Sequence, residues 1–152
     1  MTSYELWLFL HIAGAIVWIG GAVVAQVFGV LAKRSADPQR AAAFGRDMAF
    51  IGPGIFMPAA IVVLVTGVLV TEDGNWDWSE PFVYLGLILG VGVALVAFLY
   101  LTRAMGAAGA QMAQEGPSPA LVARVDRLVL VARLLILVLF VIVFLMVVKP
   151  GT

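Results

Sequence analysis

The stretch LWLFLHIAGAIVWIGGAVVAQVFGVLA, Leu6 to Ala32, holds no charged side chain other than a single titratable imidazole, His11. A helix of ~20 residues rising ~1.5 Å each crosses the ~30 Å hydrocarbon core of a bilayer, so this run predicts a membrane-spanning helix. Three further stretches have the same character, at Phe50 to Val70, Phe82 to Thr102 and Leu128 to Val148. The run at Leu6 therefore opens a set of four spans at about 6–32, 50–70, 82–102 and 128–148.

Composition agrees. The chain has 152 residues, 63% hydrophobic and 12% charged, with a mean hydropathy of +1.09. A soluble domain of this size has too little interior to hide that much apolar surface, so the solvent is lipid. A net charge of zero argues against a nucleic-acid partner, and the lack of cysteine excludes disulfides, thiolate metal sites and iron–sulfur clusters. The opening residues carry no basic region and the first apolar run is too long for a leader, which argues against a cleaved signal peptide. No phosphate-binding loop, no nucleophile with a base partner and no pair of carboxylates within lipid is present.

The links orient the spans. Lys33, Arg34, Arg40 and Arg46 fill the first, while Arg103, Arg124, Arg127 and Arg133 flank the third. The second, Thr71 to Pro81, holds Glu72, Asp73, Asp77 and Glu80 and no base. Basic residues stay on the cytoplasmic side, so both termini are expected outside an inner (cytoplasmic) membrane. Asp37-Pro38 and Ser118-Pro119 each read as an N-cap followed by proline at the first helical position. Helices two and four thus begin in the cytoplasm, and Gly116-Pro117 stops a third helix that runs on past Arg103. Short links force antiparallel neighbours. The expected fold is all-α, an up-down four-helix membrane bundle forming one transmembrane domain over residues 1–152. Gly52-Pro53-Gly54 and Pro58 are expected to break or kink the inner third of span two. Gly21, Ala25 and Gly29, and Gly86, Gly90 and Ala94, form small-residue ridges that let helices pack closely, within the bundle or between chains.

An ionisable residue at membrane depth is a candidate functional site. His11 is expected in the outer half, with Trp18 seven residues on along the same face and nearer the midplane. Gly14 and Ala15 leave a groove that a flat macrocycle or a neighbouring helix would fill. Thr66 should reach the depth of His11, as a structural hydrogen-bond partner. With one histidine in the chain, a bis-histidine haem requires two chains. Otherwise the second axial ligand would be methionine, with Met146 best placed, or water, or nothing. Lys149, outside, is the nearest cationic partner for a group at His11. Arg133 either snorkels toward the inner headgroups or meets an anion, with Gln26 the nearest polar side chain. The outer link, Asp73 to Glu80, has oxygens at calcium-loop spacing. It lacks the glycine such a loop needs, which favours a turn anchored by Trp76 and Trp78.

LHIAGAIVWIGG (Leu10 to Gly21), VTGVLV (Val65 to Val70) and the ending MVVKPG (Met146 to Gly151) resemble a family of predicted four-span bacterial membrane proteins of unknown function. The first-helix pattern is also distantly similar to copper-resistance D proteins and haem-J type protoporphyrinogen oxidases. In the latter the first-helix histidine is taken to bind haem b, and His11 stands at the matching position. The further histidines of the copper proteins and the lysine of the oxidases have no counterpart that can be placed in this chain. The resemblance thus implies haem b at His11 without carrying over the oxidase activity, and the first functional expectation is a haem protein of electron transfer or tetrapyrrole oxidation. Two other functions stay open: a non-enzymatic accessory or assembly subunit of a larger membrane complex, homo-oligomeric or not, and, on a thin ligand set, copper handling.

Overall fold

Four long helices run through the chain in the computed structural model, which describes residues 1–35 and 37–150. They are α1 (Ser3–Arg34), α2 (Pro38–Asp73), α3 (Pro81–Glu115) and α4 (Pro119–Val148), each long and apolar enough to cross a membrane. The Lys149-Pro150 part of the carboxyl-terminal motif is described, whereas its Gly151 lies outside the described residues.

Local chemistry sets the helix ends. The Asp37 carboxylate accepts from the Gln39 backbone N–H at 2.9 Å, and the Ser118 hydroxyl from that of Leu121 at 3.2 Å. Each satisfies a donor that the first turn leaves unpaired, with proline following at the first helical position. Thr2 and Glu5 close a reciprocal capping box at the start of α1. Gly116 ends α3 at φ +78°, a conformation that glycine tolerates.

Contacts between helices fix their order and direction. Going down α1, His11 meets Val63, Gly14 faces Val62 and Val63, Gly21 faces Phe56, and Gly29 faces Phe44. Rising numbers on α1 against falling numbers on α2 mean antiparallel packing. The same opposition holds for α2 and α3, through Gly45 with Gly109, Gly52 with Thr102, and Leu64 with Gly90. In the half nearer the termini α4 packs on α3, where the Met146 methyl group fills the space beside Gly86. At the other end Lys33 of α1 pairs with Asp126 of α4. Both termini therefore lie at one end of the bundle.

Small residues are buried where helices meet, and many large apolar ones lie on the surface. Ala42, Ala59, Ala60 and Ala108 are buried together with Gly14, Gly45, Gly52, Gly86 and Gly90. Phe9, Ile88, Leu137 and Phe144 are each more than 60% exposed. Water would not tolerate that surface and lipid does. The glycine ridges are consumed inside the chain, by the rings of Phe56 and Phe44 and by the side chains of Met146 and Leu64.

Two buried clusters result. One, in mid-bundle, gathers Trp18, Ala59, Ala60, Val93 and Leu139. The other gathers Ala108, Met112, Leu121 and Leu128 at the end away from the termini, where α2 and α3 extend past the expected spans.

The prolines of α2 do not break it. The helix runs on through Gly52–Phe56 as a widened π turn. Proline has no N–H to give the carbonyl four residues back, and the wider turn absorbs that loss without ending the helix. Two more π turns, Ile16–Gly20 in α1 and Val96–Leu101 in α3, fall in runs that hold no proline.

Candidate functional site

His11 is half-buried in the α1–α2 contact. Its Nδ1 lies 2.9 Å from the Val63 carbonyl oxygen and 3.3 Å from the Thr66 hydroxyl. The carbonyl can only accept, so Nδ1 carries the proton and donates it to Val63. The Thr66 hydroxyl donates to the Val62 carbonyl at 2.5 Å, one turn back on its own helix. Thr66 is buried and wedges the imidazole edge. Gly67 leaves room for the ring: a Cβ there would sit 3.2 Å from His11 Cε1.

Val63, Thr66 and Gly67 form one face of α2 at i, i+3 and i+4. With Nδ1 protonated, the lone pair rests on Nε2, which has no hydrogen-bond partner among the described residues.

The structure joins His11 to Thr66 and sets the other candidates apart. Trp18 is buried in the mid-bundle cluster. The groove at Gly14 is filled by Val62 and Val63 of α2. Met146 faces Gly86 in the α3–α4 contact. The Lys149 ammonium sits 3.9 Å from the Trp76 ring centroid, where a cation is attracted to the negative face of the ring. Trp76 in turn meets Phe82 edge-on at 5.3 Å, so Lys149 closes the outer loop over the bundle.

In that loop the Trp78 indole donates to Glu72. The Ser79 backbone amide, followed by its hydroxyl, holds the exposed Asp77 carboxyl below its usual range. At the end away from the termini, the exposed Arg133 lines a groove with Lys33, Arg34 and Asp126. Among the described residues no three His, Asp or Glu side chains converge as a metal site.

Sequence reasoning missed Val63 and Gly67. The signal was the spacing of Thr66 and Gly67 on the α2 face that passes His11, but which backbone carbonyl the imidazole would choose depends on helix rotation.

Four long antiparallel apolar helices with small residues at their contacts and a lone imidazole between two of them define an integral membrane helix-bundle protein. Residues 5–150 match the family described as predicted integral membrane protein (DUF2269), and the chain belongs to it. No curated protein and no solved structure matches the chain.

Proposed function

We propose that this membrane protein carries haem b through His11 and serves in electron transfer or tetrapyrrole oxidation. The observation that carries this reading is the hydrogen bond from His11 Nδ1 to the Val63 carbonyl, which leaves the Nε2 lone pair unpartnered. Histidine ligands to metals almost always give their other ring N–H to a carbonyl or carboxylate, which fixes tautomer and ring orientation. A histidine kept only to join α1 to α2 would leave Nε2 unpaired beside lipid, at a cost. The likeness of the first helix to the haem-J type oxidases points the same way.

The residues fit one axial bond. Val63 holds the tautomer, Thr66 wedges the ring and Gly67 gives it space. Met146 is turned toward α3, so any ligand to the group besides His11 would come from a second chain's histidine or from water. The cofactor when bound supplies the redox chemistry and the protein supplies the axial ligand and an apolar setting.

A visible spectrum of protein purified from haem-replete cells tests this. A Soret band is expected, with one haem per two chains if two histidines share it and one per chain otherwise. No Soret band, either as purified or after haem titration, overturns the proposal.

Orientation follows from charge: the basic links face the cytoplasm and both termini face out. Because the chain has no cysteine, single introduced thiols report it cleanly. A membrane-impermeant maleimide added to intact cells is expected to label Ser79→Cys, and to label Gln114→Cys only after permeabilisation. The reverse pattern would invert the topology.

The assembly-subunit reading has lost its proposed docking ridges, since Gly21, Gly29, Gly86 and Gly90 are covered from within the chain. Copper handling would rest on His11 alone among histidines, and among the described residues no group of three His, Asp or Glu side chains converges.

A further inference from the structure

The three π turns meet around one cavity. Trp18 from the first, Gly52 and Phe56 from the second, and Phe98 from the third all line a space of ≈ 130 Å³ between the helices. Widened turns are rare and recur at functional sites. Three of them on one cavity mean that α1, α2 and α3 all depart from regular geometry around the same space.

The wall is apolar and aromatic, with no charged side chain. Its polar side chains are Gln26 and Thr102. Thr102 is occupied, because its hydroxyl donates to the Ala97 carbonyl at 2.9 Å. Gln26 is not: its Nε2 has no acceptor among the described residues and is enclosed as the amide stands, so a ligand meets it once the amide turns about its last side-chain torsion into the space. A buried amide donor without an acceptor is costly and rare, so the missing acceptor is the clue to the ligand.

We propose that this cavity binds the head of a membrane quinone, with one ring carbonyl accepting from Gln26 Nε2. Each property of the site selects the ligand. The absence of charge requires a neutral molecule, and the orphan donor requires an acceptor oxygen. A cavity of this volume takes one six-membered ring, as a dry cavity of about 150 Å³ takes benzene. The aromatic walls offer ring contacts. The position within the spans requires a ligand that arrives through lipid, which a prenyl- or alkyl-tailed quinone does. This site is separate from His11 and does not rest on the haem reading.

The test uses the full chain in nanodiscs, titrated with a decyl-tailed benzoquinone while Trp fluorescence is followed. Trp18 is the tryptophan lining the cavity, so saturable quenching is expected that Trp18→Phe removes. Gln26→Leu keeps size and loses the donor. It is expected to weaken binding about tenfold, the worth of one good hydrogen bond. The same variant is expected to melt at an equal or higher temperature, because it deletes an unpaired buried donor. Ala97→Leu should fill the space and block binding while Gln26 is untouched. His11→Ala should leave quinone affinity unchanged, which keeps failure here distinct from failure of the haem proposal.

Equal affinity for decylbenzene, or Gln26→Leu within twofold of the parent, would make the cavity a slot for any alkyl chain and overturn the proposal. A lower melting temperature for Gln26→Leu would show the donor to be satisfied within the protein, and would overturn it too.

Discussion

Gly45→Leu is expected to cost the protein its stable fold, lowering unfolding free energy by about 3 kcal/mol or more, while Gly86→Ala costs under about 1 kcal/mol. Both glycines are buried, and they differ in what they face. A Cβ on Gly45 would come 3.2 Å from Gly109 Cα and 3.7 Å from the Met105 carbonyl oxygen. These are backbone atoms of α3, which move only if the helix moves. A cavity of ≈ 200 Å³ lined by Gly45, Ala108, Gly109 and Met112 takes the rest of an isobutyl group, so the cost falls on the Cβ, which meets backbone that cannot give. It would lever apart these ends of α2 and α3 and open the cluster around Leu121 and Leu128. A Cβ on Gly86 instead meets the terminal methyl group of Met146, the end of an unbranched chain with three rotatable bonds that can swing aside. Denaturation in mixed micelles, followed by circular dichroism, measures both variants. If Gly86→Ala proves the costlier, backbone approach does not organise this bundle.

That contrast also marks where the sequence was readable. Span number and caps came from composition and from single residues whose chemistry is local. Asp37-Pro38 and Ser118-Pro119 start helices wherever they occur, and the accumulation of Arg and Lys in two links needs no knowledge of packing. The Gly45–Gly109 contact was not legible, because it depends on the rotation of α2 and α3 about their own axes. Nor were the π turns, two of which lie in runs with no proline at all. In α2 the sequence predicted a break or a kink, and the helix continues through a widened turn, because proline's missing donor can be absorbed when neighbouring helices hold both halves in place.

The candidate site shows the same division. Matching depths predicted Thr66 beside His11, and the two are 3.3 Å apart. Depth also suggested Met146 and Lys149, yet α4 presents Met146 to Gly86, and Lys149 turns over Trp76. Distance along the membrane normal is one coordinate of three. It can be read from a span, whereas the face a residue presents depends on every neighbour of its helix. Gln26 illustrates the point further: its depth was evident and its isolation was not, because an unpaired donor is defined by what the surrounding helices fail to offer.

His11→Ala and His11→Gln should separate a ligand from a structural histidine. Alanine removes the hydrogen bond to Val63 and leaves a void between α1 and α2. The bond alone is worth about 0.5–1.5 kcal/mol in proteins generally, and such bonds average about 0.6 kcal/mol between membrane helices. A glutamine amide can still donate to the Val63 carbonyl and fills much of the space, but it is a poor axial ligand to haem iron. If His11 binds haem, both variants lose the Soret band while His11→Gln keeps a melting temperature close to that of the parent. If the imidazole serves only to tie two helices, His11→Gln restores whatever His11→Ala lost, and no haem spectrum changes in either. Thr66→Val sharpens the result, because it deletes the hydroxyl beside Nδ1 and keeps the shape of the wedge. With haem bound, the ring is expected to loosen and the Soret maximum to shift or broaden without loss of stoichiometry. A spectrum indifferent to Thr66 and to His11 alike would mean that any haem in the preparation is bound elsewhere.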